Sequence, residues 1–199
     1  MQLNKINSEV DQFSTYYKKN LSNIINNISN KEIEDFINIL LQTRKKKATV
    51  YFIGNGGSAS TASHFVNDLS IGLKTLGNPF RAVSLCDNMS VITAIGNDFG
   101  YEYIFSKQLE VLLKKGDLVV AISASGNSKN IIQAINTAKD KLSQTVGISA
   151  FGGGMLKTIS DISVHVPTKE GEYGVAEDAH LMLDHLVTGY LAKYISIEE

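Results

Sequence analysis

A chain of 199 residues with 43% hydrophobic residues, 20% charged residues and a formal net charge of −1 has the length for one domain with a full core and is too apolar for wholesale disorder. The near-neutral balance offers no basic field for a nucleic-acid backbone, and one cysteine, Cys86, excludes an intramolecular disulfide and suits a reducing compartment. No segment approaches about 18 uninterrupted apolar residues and the opening MQLNKINSEVDQF lacks a signal peptide's apolar stretch, so the reading is a cytoplasmic protein with no membrane partner.

Residues 1–46 read as a helical arm. Val10, Phe13, Tyr16, Tyr17, Leu21, Ile25 and Ile28 recur at helical spacing, and Ile33, Phe36, Ile37, Ile39, Leu40 and Leu41 begin a second pattern. Such an arm packs on its own sheet or on a partner subunit, and the pattern leaves both open. The basic run Arg44-Lys45-Lys46-Lys47 reads as a solvated helix end before a strand. From Ala48 on, short apolar runs at Thr49–Ile53, Arg81–Leu85, Leu118–Ile122, Thr145–Ile148 and Ile162–Val166 alternate with helical stretches at about 58–76, 89–96, 105–114, 128–141 and 152–159. Cys86 continues the apolar run from Ala82 and reads as core, not nucleophile; His165, inside the last strand run, reads as structural. Residues 175–195 form a closing apolar-periodic helix. Regular alternation of this kind predicts an α/β fold: a doubly wound, mostly parallel five-stranded sheet with helices on both faces. With no linker or repeat in sight, 1–199 reads as one domain, an arm followed by an α/β core over 47–199.

In such sheets ligands bind beyond the carboxyl ends of the strands. The first strand run ends in Gly54-Asn55-Gly56-Gly57-Ser58-Ala59-Ser60. Its glycines allow close backbone approach, and its Asn and Ser side chains add donors at a helix N-terminus. A plain strand-to-helix turn capped by Ser58 needs fewer polar groups. The third strand run ends in Ser123-Ala124-Ser125-Gly126-Asn127-Ser128, where three hydroxyls can encircle a phosphate without a basic residue; alone, Ser128 could simply be a helix cap. Neither loop is a Walker A motif or a GxGxxG fingerprint. Two of them on one sheet favour a ligand site. His64 and Asp68 stand four apart after the first loop, on one face of a helix, and Glu177, His180, Asp184 and His185 mark the closing helix. A single histidine is more often structural than catalytic; the carboxylate at i+4 raises the odds that His64 shares a metal or a proton.

GNGGSA after the first strand and SxSGNS after the third resemble the SIS-domain sugar isomerases. The run Thr93-Ala94-Ile95-Gly96-Asn97-Asp98-Phe99-Gly100-Tyr101 narrows the resemblance to the phosphoheptose isomerases, over nearly the whole chain. The resemblance implies an SIS α/β sandwich and a homotetramer with active sites between subunits. It implies an aldose–ketose isomerase acting on sedoheptulose 7-phosphate, often with one zinc ion per subunit. The phosphate would lie on Ser123, Ala124, Ser125 and Ser128, and Asn55, Gly56, Gly57 and Ser58 would contact substrate. Asn97 and Asp98 are carried over to substrate as well, although the residues alone leave Asp98 open between a turn cap and a substrate contact. Metal ligands would be His64, Asp68, Glu177 and His185, with Asp68 the catalytic base, His185 the acid and Glu177 also near substrate.

The chain departs from the best-known members of that family. Asp68 stands for Glu, Glu177 for Gln, Gly174 for Asp and Gly72 for Arg. These changes keep two alternatives open: a non-catalytic SIS tetramer that binds a protein partner or senses a sugar phosphate, and an SIS enzyme on another sugar phosphate.

Overall fold

Successive side chains of a strand point to opposite faces of the sheet, and here both faces are apolar. In β1 (Thr49–Gly54) every residue is buried; Val50 and Phe52 enter one core while Tyr51 and Ile53 enter the other. β3 (Leu118–Ser123) repeats this, with Leu118, Val120 and Ile122 on the first side and Val119 and Ala121 on the second. A sheet apolar on both faces needs helices on both, which makes the three-layer sandwich. The computed structural model describes residues 2–73 and 79–198.

The remaining strands are β2 (Arg81–Ser84), β4 (Gln144–Ser149) and β5 (Ile162–His165), and all five pair in parallel in the order β2-β1-β3-β4-β5. On one face lie α1 (Gln2–Asn26), α2 (Asn30–Lys45), α3 (Gly57–Asn67) and α8 (Tyr173–Glu198); the core there includes Phe36, Leu40, Phe65, Ala176, Leu183 and Val187. On the other face lie α5 (Ser106–Leu112), α6 (Lys129–Asp140) and α7 (Gly154–Ile159), which contribute Leu109, Ile131, Ile135 and Leu156. α4 (Met89–Asp98) precedes them and buries no residue completely.

The arm divides. Ile24 and Ile28 are buried in the chain's own core and Tyr17 packs against it, while Val10, Phe13 and Tyr16 stay exposed. The Tyr17 hydroxyl donates to Asp178 Oδ2 at 2.7 Å, tying α1 to α8 and pushing its pKa up to about 12. Ser29 caps α2 by accepting from the Glu32 N–H. At the other end of α2 the basic run is a helix end, with Arg44 set 5.7 Å from the Phe80 ring.

Two helices differ from expectation. The stretch expected over 58–76 is α-helical only to Asn67; the chain then widens into one π-helical turn, Asp68–Gly72, with Leu69 buried beneath it. Positions 74–76 lie outside the described residues. α4 continues through Asp98, so Asp98 ends a helix and does not sit in a separate turn. Cys86 packs between the two cores, its thiol pushed up by burial first of all, as a core residue requires. His165 is held structurally: its N–H donates to Glu32 Oε2 at 2.9 Å and its Nδ1 lies 3.4 Å from Ser149 Oγ. No helix among the described residues is long and apolar enough to cross a membrane.

Candidate active site

From β1 the chain turns to β2 on one side, and from β3 to β4 on the other, so the loops after these two central strands part. Sheets wound in this order open their binding crevice at that switch point. A cavity of about 130 Å³ lies there, lined by Asn55, Ser58, Ser123, Ala124, Ser125, Ser128 and Glu177 together with Ile122 and Tyr173. A larger hollow of about 300 Å³ between α2 and α8 is lined mainly by Ile33, Ile37, Leu41, Leu186, Tyr190 and Tyr194, with Glu34 its one ionisable carboxylate, and offers little acid–base chemistry.

The turn after β3 is tightened by its own hydroxyls. Ser123 Oγ accepts from the Gly126 N–H at 3.2 Å and Ser125 Oγ from the Asn127 N–H at 3.3 Å. Gly126 has φ +65°, and a Cβ there would strike the Gly153 carbonyl, so this turn requires glycine. Its carbonyl accepts from the Leu156 N–H, and Asn127 Oδ1 from the Met155 N–H, which braces the loop on the start of α7. Ser128 holds the N-cap position of α6, yet its hydroxyl makes no capping bond and remains available to a ligand.

The turn after β1 is held by amides. Asn55 and Asn130 exchange side-chain hydrogen bonds at 2.9 and 2.8 Å, and the Tyr101 hydroxyl donates to Asn55 Oδ1 at 3.0 Å. Asn130 and Tyr101 carried no assigned role in the sequence reading; Tyr101 lies in the quoted run Thr93–Tyr101, and only the fold shows that it reaches Asn55. Gly56, not Ser58, occupies the N-cap of α3, so the simple capped turn does not form and Ser58 is buried against the cavity. A Cβ on Gly57 would occupy the space of the Glu177 carboxylate, so glycine lets α8 approach here.

From that contact α3 and α8 run side by side in the same direction. Gly57 meets Glu177 at one end; seven residues on along α3 and eight along α8, His64 Nε2 meets His185 Nε2 at 3.1 Å, the rings edge to face. His64 Nε2 also lies 3.7 Å from Asp68 Oδ2 and 3.9 Å from Asp184 Oδ2. Donor atoms of His64, Asp68, Asp184 and His185 all fall within 4.8 Å of one another. Two imidazoles and two carboxylates suit a zinc-type cation, so the chemistry of the group fits a metal site. Asp184 is wholly buried, and neither oxygen accepts a hydrogen bond from a described residue; burial first, then the charge of Asp68, pushes its pKa up to about 7.

Of the expected metal ligands, His64, Asp68 and His185 come together and Glu177 does not; it lines the cavity instead. Its carboxylate packs over Gly57, at the other end of the seam. Glu177 and His185 are about 12 Å apart along the axis of α8. Asn97 and Asp98 also lie away from the cavity, exposed at the end of α4, where Asn97 Nδ2 donates to Asp98 Oδ1. Asp184 had no assigned role; its only sequence signal was a carboxylate beside His185.

His180 turns from the seam into the core. It is fully buried, neither ring nitrogen makes a well-formed hydrogen bond with a described residue, and burial, offset only in part by the nearby Ser149 backbone, pushes it down to about 4. The unfolded chain therefore binds a proton between about pH 6.5 and 4 that the native state refuses, so this residue costs stability as pH falls through that window. Asp184, pushed the other way, acts with the opposite sign over much of the same range. The clean measurement is thus the difference between wild type and His180→Leu in denaturant unfolding. The variant should gain on wild type as pH falls, by on the order of 3 kcal/mol near pH 4; a pH-independent difference would show that His180 is not held neutral.

The sequence profile of the SIS domain family matches residues 12–150. The chain is 34% identical to the phosphoheptose isomerase of Aliarcobacter butzleri over 164 residues, 82% of this chain and 86% of that one. Among solved structures, phosphoheptose isomerase GmhA from Neisseria gonorrhoeae superposes with a TM-score of 0.79 at 26% identity, covering 97% of this chain and all of that one. The phosphoheptose isomerase from Francisella tularensis gives 0.81 at 26% identity, covering 97% and 99%. With an α/β sandwich, two polar strand-end loops and a His–Asp seam already in place, these likenesses put the chain in the SIS domain family and, within it, among the phosphoheptose isomerases.

Proposed function

We propose that the chain interconverts sedoheptulose 7-phosphate and D-glycero-D-manno-heptose 7-phosphate. The observation that carries this reading is the α3–α8 seam, which runs from a phosphate-sized polar cavity to a group of acids and imidazoles. The phosphate sits among Ser123, Ser125 and Ser128 at the start of α6, and Asn55, Ser58 and Glu177 bind the sugar. Toward His64 the carbons C1 and C2 meet Asp68 and His185. Asp68 takes a proton from C1 of the open-chain ketose while His185 protonates O2, giving the 1,2-enediol. Loss of the O1 proton and delivery of a proton to C2 then complete the aldose. Zinc is the cofactor of this reading, one per subunit, held by residues of the His–Asp group; when bound it supplies positive charge near the enediolate oxygens.

The assembly of this reading is a cytoplasmic homotetramer. The exposed Val10, Phe13 and Tyr16 on α1 and Leu186 and Tyr190 on α8 are apolar surface that a second subunit would cover. The outlying Asn97 and Asp98 then have a partner's site to serve. Light scattering at micromolar concentration should give a tetramer, and an active monomer would refute the shared site.

The direct test is incubation with sedoheptulose 7-phosphate in deuterium oxide. Aldose carrying deuterium at C2 is expected; a protein that binds the sugar without turnover would instead be a sensor. Ser125→Ala should raise KM by removing a charge-assisted hydrogen bond worth about 1.5–3 kcal/mol, and an unchanged KM would move the phosphate elsewhere.

A further inference from the structure

The family resemblance puts Glu177 on the metal, but the fold presents a different carboxylate. Asp184 is 0% exposed, and neither of its oxygens accepts a hydrogen bond from any described residue. A buried carboxylate is costly unless it is paired or bound to a cation. Oδ2 faces a group where a cation would meet further donors: His64 Nε2 at 3.9 Å, with Asp68 and His185 around it. Tetrahedral zinc with ligand bonds of about 2.0–2.2 Å separates its donors by about 3.3–3.6 Å. The separations from His64 of 3.1, 3.7 and 3.9 Å bracket that range, and all four donors lie within 4.8 Å of one another. Glu177 is two turns of α8 away from His185, packed over Gly57 beside the serine loop.

We propose that Asp184 is the fourth ligand of a zinc-type cation with His64, Asp68 and His185, and that Glu177 is thereby freed to bind sugar hydroxyls in the cavity. This rests on the metal-assisted isomerase reading and changes which residues hold the metal. An extra anionic ligand on a buried helix face raises affinity for the divalent ion. It also makes Glu177 a determinant of substrate specificity, where its carboxylate accepts hydrogen bonds from hydroxyls between the phosphate and the reacting carbons.

The test uses the full-length chain, stripped with chelator and titrated with zinc against a chromophoric competitor, and with cobalt for its visible absorption. Asp184→Asn should weaken zinc binding at least about 10-fold, a ligand counting for no less than the outer-shell partners of metal ligands, and should alter the cobalt spectrum. Glu177→Gln should leave both within about 2-fold of wild type while raising KM for the sugar phosphate. Asp184→Leu guards against misfolding: stripped of metal it should melt at or above the wild-type temperature, since an unpaired carboxylate is gone, and should lose the rise that zinc gives wild type. The proposal is overturned if Asp184→Asn binds zinc as wild type does, if Glu177→Gln loses zinc as fully as Asp184→Asn, or if Asp184→Leu keeps the zinc-dependent rise. A wild-type chain that takes up no zinc overturns it as well, while leaving isomerase activity to be judged on its own by turnover.

Discussion

Asp68→Asn lowers kcat by about 10²–10⁴-fold, the range for loss of one positioned proton-transfer group. The amide keeps the shape of the carboxylate and removes nearly all of its basicity, so KM should change little. Asp68 is well placed for the role. It follows α3 directly, its N–H still bonded to the His64 carbonyl, and it opens the π-helical turn that angles its side chain toward the seam. Oδ1 accepts from Asn67 Nδ2 at 2.9 Å while Oδ2 faces His64. The decisive readout is exchange of the C2 proton with solvent, which should vanish with kcat. Metal content must be measured in the same samples, because Asp68 also belongs to the His–Asp group and loss of metal would lower the rate by a second route. His185→Gln should show a comparable loss. Near-normal isomerisation in Asp68→Asn would move the base to Glu177, which has the longer side chain and lines the strand-end cavity.

Phe65→Ala should destabilise the fold by about 3–5 kcal/mol, the usual cost of removing a buried aromatic side chain. Phe65 is wholly buried, stacked on Phe52 of β1 at 5.1 Å and edge-on to Phe36 of α2 at 6.0 Å. It is thus the pin that joins α2, α3 and the sheet. For a domain of this size the loss corresponds to a fall in Tm on the order of 10 °C. His64 precedes it and Asp68 follows by one turn, so a loosened α3 also blurs the acid–base geometry, and kcat should fall at temperatures where the variant is still folded. Retention of wild-type stability would mean that α3 is anchored mainly through α8, a contact the two parallel helices make along their length.

How much of this was legible in the chain follows from the range of each signal. The parallel α/β sheet was, because a strand buried on both faces must be a continuous apolar run, and Val50–Ile53 and Leu118–Ile122 are such runs. The two strand-end loops were legible for a similar reason: turns that need glycine and donors at a helix N-terminus must write those residues in sequence, as GNGGSAS and SASGNS do. His64 and Asp68 share one helix and one face, so their pairing was local too. The partition of the carboxylates on α8 was not. Glu177, Asp184 and His185 stand on one long helix, and helical spacing says which of them share a face but not which neighbour that face meets. Only the parallel docking of α8 on α3, permitted by the bare Gly57, sets Glu177 over the strand-end cavity and turns Asp184 toward His64. Tyr101 and Asn130 likewise become partners of Asn55 only when α6 and the turn after α4 close over β1. Periodicity and turn chemistry are properties of short segments. The meeting of side chains from distant segments is a property of packing, and in this protein packing decides which acid faces the two histidines and which lines the strand-end cavity.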